Sequence, residues 1–82
     1  VRVTVAVHLF ARARELAGTD LVRLELTNGS VAEVRNSLAG RYPQMVGLIS
    51  CSAVAVNGEY AAGSRQIGSS DEIALIPPVS GG

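Results

Sequence analysis

Near the start of the chain, Val3, Val5, Val7 and Leu9 alternate with Arg2, Thr4, Ala6 and His8. A period of two sends successive side chains to opposite sides of a strand, so this apolar set defines a strand with one buried face. No other feature constrains the fold as much, because a one-sided strand folds only if the rest of the chain supplies elements that cover its apolar side. Phe10 falls on the opposite parity, beside His8 and Ala6, and so belongs to the outer face.

The covering elements follow in order. Residues 11–17 are good helix formers, and Gly18 is a stop signal. Val22, Leu24 and Leu26 alternate with Arg23 and Glu25, which predicts a second strand. After the Asn28-Gly29 turn, Ser30-Val31-Ala32-Glu33 reads as a capping box, with Ser30 as N-cap and Glu33 reaching back. Val31, Val34, Leu38 and Tyr42 then share one helical face. Gly40 weakens the last turn and Pro43 ends the helix, so the main helix is expected over 30–42. Residues 44–50 are compatible with one more helical turn.

Val54 and Val56 alternate with Ala53 and Ala55, and Asn57-Gly58 is the strongest hairpin signal in the chain. Glu59-Tyr60-Ala61 forms the short return strand. A turn at 68–71 leads into a last strand with Ile73 and Leu75 on one parity and Ala74 and Ile76 on the other, stopped by Pro77-Pro78. The pattern is α+β: a sheet of four to five strands with one main helix packed on it. The expected core is Val3, Val5, Val7, Leu9, Val22, Leu24, Leu26, Val34, Leu38, Val56, Ile73 and Leu75.

The length of 82 residues suits one domain, taken as 1–78, with 79–82 a flexible tail. Seven Arg balance seven acidic residues, and there is no Lys. Zero net charge without a basic cluster argues against nucleic-acid binding. Cys51 is the only cysteine, which excludes an internal disulfide and a multi-thiol zinc site and fits a reducing compartment. No apolar run approaches the ~20 residues of a membrane span, and Val1-Arg2-Val3-Thr4 lacks a signal-peptide pattern. A cytoplasmic location with neither membrane nor metal ligands is therefore expected. His8 and Cys51 match no nucleophile–base spacing, and no acidic orienter is evident, so both read as surface or packing residues. Without a Walker-type glycine loop or a lysine, nothing here activates ATP unaided.

Several motifs together resemble the small subunits of molybdopterin synthase, ubiquitin-like sulfur carriers. They are Leu9-Phe10-Ala11 with Arg14-Glu15-Leu16-Ala17-Gly18, Ala55-Val56-Asn57-Gly58-Glu59, Asp71-Glu72-Ile73-Ala74, and Pro77-Pro78-Val79-Ser80-Gly81-Gly82. They span nearly the whole chain in the right order. Ser69-Ser70 departs from the acidic residue and glycine common there in the family, and the absence of Lys departs from many relatives.

The resemblance implies a β-grasp fold with the first and last strands parallel at the sheet centre. It implies a non-catalytic carrier whose Gly82 carboxylate is adenylated and then thiocarboxylated, and which gives its sulfur to cyclic pyranopterin monophosphate in the active site of a large subunit. ATP is used by the activating enzyme, and no cofactor is bound by this chain. The implied partners are the large subunit in a heterotetramer, the adenylating enzyme and a sulfur-donor protein. Val79, Ser80 and Gly81 would thread a partner channel, and Phe10, Arg14, Tyr60 and Ile76 would form the partner interface. Two glycines suit a narrow channel because they carry no side chains, and 79–82 can extend about 13–14 Å. Carriers for thiazole, cysteine or tRNA thiolation share the Gly-Gly end, and a non-covalent ubiquitin-like binding module would need no free terminus.

Overall fold

The computed structural model describes residues 2–78. The alternating apolar set at the start forms β1 (Val3–Leu9). Helix α1 (Ala11–Ala17) follows and stops at Gly18, whose φ of 76° lets its N–H reach the Arg14 carbonyl at 2.9 Å. Next come β2 (Leu21–Leu26), α2 (Val31–Arg41), a 3₁₀ turn (Pro43–Met45) and α3 (Val46–Ser50). The last elements are β3 (Ala53–Val56), β4 (Glu59–Tyr60) and β5 (Glu72–Ile76).

The five strands lie in the order β2-β1-β5-β3-β4. β1 and β5 pair in parallel, with Val7 beside Ile73 and Leu9 beside Leu75, while β1–β2, β3–β5 and β3–β4 are antiparallel. The first and last strands thus meet inside the sheet, and the chain has the ubiquitin-like β-grasp architecture.

One face of the sheet is covered by α2, whose Val31, Val34 and Leu38 have no exposed surface. They share a single core with Val5, Val7, Leu9, Leu26, Ile73 and Leu75. The expected core is buried with one exception: Val3 is half-buried, because it lies at the end of β1 opposite Leu26, where the sheet stops. Met45, Ile49, Ile67 and Ala13 join the core from outside the main periodic segments.

Helix α2 runs through Gly40 to Arg41 and ends before Pro43, as expected, and Pro43 opens the following 3₁₀ turn. Ser30 caps Glu33 N–H at 3.2 Å as expected. The Glu33 carboxylate, however, reaches past the cap to the Thr27, Asn28 and Gly29 N–H groups at 2.6, 2.7 and 3.0 Å. The Thr27 N–H bond is the main cause that holds this carboxyl below its ordinary pKa.

The remaining donors of the first helical turn are met by the segment after β4. Val31 N–H donates to the Arg65 carbonyl and Ala32 N–H to the Gly63 carbonyl, at 3.0 and 2.9 Å. Ile67 N–H donates to Gly29 O at 2.7 Å, which draws Ile67 into the core. A side chain at Gly29 would meet Ile67 O at 3.1 Å, and the φ there is +68°. Glycine is therefore required at this turn for both space and backbone angle.

Candidate functional site

The other face of the sheet carries no helix. Its strand registers align Leu21, His8, Ala74, Ala55 and Tyr60 in one row across all five strands. Alanines in the middle and larger side chains at either end make a depression. Ala55 and Ala74 form its floor, with His8, Phe10, Tyr60, Glu72 and Ile76 around it, and its volume is about 490 Å³. Phe10 is 50% exposed and Tyr60 76%.

Ile76 was expected to be outward and exposed, and it is half-buried. The parallel register carried one step beyond Leu9–Leu75 sets it beside Phe10, and Ala53 pairs with it on the other side, so its neighbours shield it. Arg14 is exposed on α1 and does not line the depression. His8 lines it and Cys51 does not. The Cys51 thiol instead lies 3.4 Å from the Gly47 and Leu48 carbonyls at the end of α3. The two residues are thus assigned to different parts of the molecule, and among the described residues no group of His, Cys, Asp and Glu could hold a metal ion. No described helix is long and apolar enough to cross a membrane.

The corner that presents Phe10 is built against local preference. Phe10 is the N-cap of α1 and offers no side-chain hydrogen bond, although Ser, Thr, Asp and Asn are strongly favoured there. The next residue, Ala11, has φ +51°, a left-handed conformation that costs a non-glycine residue roughly 1–2 kcal/mol. Two local disadvantages at one corner, both holding an aromatic side chain in solvent, point to a use for that side chain outside the fold.

The opposite end of the depression is the β3–β4 hairpin. Asn57 and Gly58 have φ of +52° and +84°, as a type I′ turn requires, and Gly58 also lines the depression. Asn57 is tied to the turn before β5. Its Nδ2 donates to Asp71 Oδ1 and its Oδ1 accepts from Glu72 N–H, both at 2.9 Å. Asp71 Oδ2 accepts from Gly68 N–H at 2.8 Å. The Gly68 bond first, then the Asn57 amide and the charge of Arg65, hold the Asp71 carboxyl below its ordinary pKa. The Ser69-Ser70 departure is accommodated in this turn, which Asp71 N–H closes onto Gly68 O at 3.0 Å.

The described chain ends at Pro78, two positions beyond Ile76, so the segment from which the tail departs adjoins the depression. Val79, Ser80, Gly81 and Gly82, singled out for the carrier chemistry, lie outside the described residues.

Sequence comparison places this geometry among known proteins. Residues 7–82 match the model of the ThiS family. The chain belongs to the ThiS family. Among ThiS-family relatives, the molybdopterin synthase sulfur carrier subunit of Arabidopsis thaliana is 40% identical over 81 residues, covering 98% of this chain and 84% of that protein. The small archaeal modifier protein 1 of Haloferax volcanii is 35% identical over 83 residues, covering 90% of this chain and 95% of that protein. Among solved structures, the small archaeal modifier protein 1 of Methanosarcina acetivorans superposes with a TM-score of 0.86 at 30% identity, covering 100% of this chain and 99% of the other.

Parity marks Phe10 and Ile76 as outward and the family resemblance adds Tyr60, but Ala55, Ala74 and Gly58 are missed. Small residues carry little apolar signal, and their role as a floor exists only once five strands are ordered. The cross-strand alignment of alternate alanines in β3 and β5 was the available clue.

Proposed function

We propose that this chain is the sulfur carrier subunit of a molybdopterin synthase. The observation that carries the reading is the depression on the open sheet face, held at a strained corner, which adjoins the root of a Pro-Pro-Val-Ser-Gly-Gly segment in a chain 40% identical to a sulfur carrier subunit. A partner seated on Phe10, Tyr60 and Ile76 lies next to Pro77-Pro78, so docking and delivery of the terminus are one event. Arg14, on the exposed side of α1, is a peripheral charged contact.

The chemistry belongs to Gly82. Its carboxylate is a poor acyl donor. Attack of that carboxylate on the α-phosphorus of ATP, on the adenylating partner, releases pyrophosphate and leaves an acyl-adenylate. Hydrosulfide, supplied at the sulfide level by a donor protein, then attacks the acyl carbon and displaces AMP, leaving a thiocarboxylate. In the active site of the large subunit the thiocarboxylate sulfur bonds to a substrate carbon, and water cleaves the acyl–sulfur bond of the resulting thioester, which leaves the sulfur on the substrate and regenerates the carboxylate for another cycle. Gly81 and Gly82 suit a channel closed to side chains, and Val79 and Ser80 span the distance from the domain. This chain supplies position and a leaving group, and the catalytic groups are the partners'.

The test is intact-mass analysis of the full chain after incubation with ATP, an activating enzyme and a sulfur donor. The expected product is heavier by the replacement of one oxygen with sulfur, and removal of Gly81-Gly82, or one residue added after Gly82, abolishes it. A shift of one residue moves the reacting carbon about 3.5 Å, too far for productive attack. Sulfur transfer that persists without both glycines overturns the carrier reading. A second reading, supported by the relative named a small archaeal modifier protein, has the same activated terminus acylating a protein amine. It predicts adducts that survive reduction and denaturation.

A further inference from the structure

Asn57-Gly58 is a latch and also a reactive pair. An asparagine followed by glycine is the sequence in which the backbone nitrogen of the second residue most readily attacks the side-chain amide carbon of the first, because glycine has no Cβ to hinder the approach. A side chain at Gly58 would meet nothing within 4 Å, and no hydrogen bond engages the Gly58 N–H among the described residues. Asn57 itself is exposed. The Asn57 side chain is restrained between Asp71 Oδ1 and Glu72 N–H, and its backbone N–H donates to the Glu72 carbonyl at 2.8 Å.

We propose that Asn57 is a deamidation site kept closed by Asp71, and that its conversion to an acidic residue unlatches the β3–β4 hairpin. In the reaction, hydroxide removes the Gly58 amide proton and the nitrogen forms a bond to Asn57 Cγ. The Cγ–Nδ2 bond breaks and ammonia leaves with a proton from water. Water then opens the cyclic imide at either carbonyl, leaving an aspartate or an isoaspartate at position 57. Water and hydroxide are the only co-reactants, and no electrons change hands.

The product cannot keep the latch. An oxygen of a new carboxylate replaces the Nδ2 donor 2.9 Å from Asp71 Oδ1, so an attractive contact becomes one between like charges. Glu72 and Glu59 stand in the same corner, and Arg65 is the nearby opposite charge that acts on Asp71. An isoaspartate also adds a backbone atom to a two-residue turn, which the Val56–Glu59 pairing does not accommodate. β4 is only two residues long, so little else holds Tyr60 in place. The inference stands on the hairpin alone and does not need the depression to be a docking face.

The test has two arms on the full chain, neither using a partner. In the first, wild type and D71A are incubated at mildly alkaline pH and digested, and conversion at Asn57 is followed by mass. Asn28-Gly29 serves as an internal reference because its Gly29 N–H is bonded to Glu33, a contact in which Asp71 takes no part. D71A is expected to speed conversion at Asn57 by about tenfold, as loss of a hydrogen bond to a charged group implies, with Asn28 unchanged. Equal rates at Asn57 in the two proteins overturn the closing role. In the second arm, N57D is expected to speed hydrogen exchange of the Ala61 amide, which donates to Val54 O in the wild type, and N57D/D71N is expected to restore protection because the amide and carboxylate have traded places. Unchanged Ala61 protection in N57D overturns the unlatching.

Discussion

The two faces of the sheet are made by the same strands and obey opposite rules. On the face under α2, β1 and β5 contribute Val5, Val7, Leu9, Ile73 and Leu75, all 1% exposed or less. On the open face the same two strands contribute Ala6, His8, Ala74 and Ile76, and Phe10 follows directly after β1; Ala74 is floor while His8, Phe10 and Ile76 are rim. A period of two lets one sequence meet two requirements independently. The odd positions in these strands are chosen for packing density and the even ones for what lies outside the molecule. The difference teaches that a substitution is to be judged by parity before chemistry, since neighbours in sequence belong to different problems.

The largest effect that tests this division is on the covered face. Leu38→Ala removes a fully buried side chain and is expected to cost ~2–5 kcal/mol, measured by urea denaturation. A loss below about 0.5 kcal/mol, typical of surface sites, would place Leu38 outside the core. On the open face the expectation reverses. Phe10→Asp is expected to change folding stability by no more than ~0.5 kcal/mol, yet to weaken binding of the large subunit by roughly 2 kcal/mol or more, as for a central interface residue. Calorimetric titration that finds unchanged affinity removes Phe10 from the interface.

A smaller effect concerns the corner where the faces join. Ala11→Gly relieves the positive φ and is expected to raise stability by up to ~1 kcal/mol net of the backbone entropy lost, without tightening partner binding. If it destabilises, the corner is not strained. The smallest effect is pH-dependent and belongs to the covered face's helix cap. The folded pKa of Glu33 lies below the ordinary glutamate value, chiefly through Thr27 N–H. Its contribution is therefore fully present above the ordinary glutamate range and is lost as pH falls through the depressed folded value. Glu33→Gln is expected to be less stable than wild type near neutrality and to converge with it in acid. A gap that stays constant from neutral to acid pH sinks this assignment.

The comparison of faces also explains what could be read in advance. Alternation of Val5, Val7 and Leu9, the Ser30 cap and the Asn57-Gly58 turn are local signals, and each names its element without reference to anything distant. The parallel pairing of β1 with β5 has no local signal and was available only through resemblance. Ile67 stands alone in a polar stretch, and its burial depends on Gly29, some forty positions earlier. Of the candidate site, the outward aromatic Phe10 was legible from parity. The shielding of Ile76 was not, because it depends on which strands become neighbours.

The parallel contact between β1 and β5 has a consequence for synthesis. The strand that completes the centre of the sheet is made after the other four described strands, and it pairs with the first of them across most of the described sequence. Such a topology closes late, after nearly all the chain is available, since its defining contacts are the most distant in sequence. A prematurely terminated product lacks β5 and with it the floor residue Ala74, the rim residue Ile76 and the neighbour that orders β3. Assembly thus acts as an inspection of the chain: it presents its outer face to other molecules only when β5 has been added.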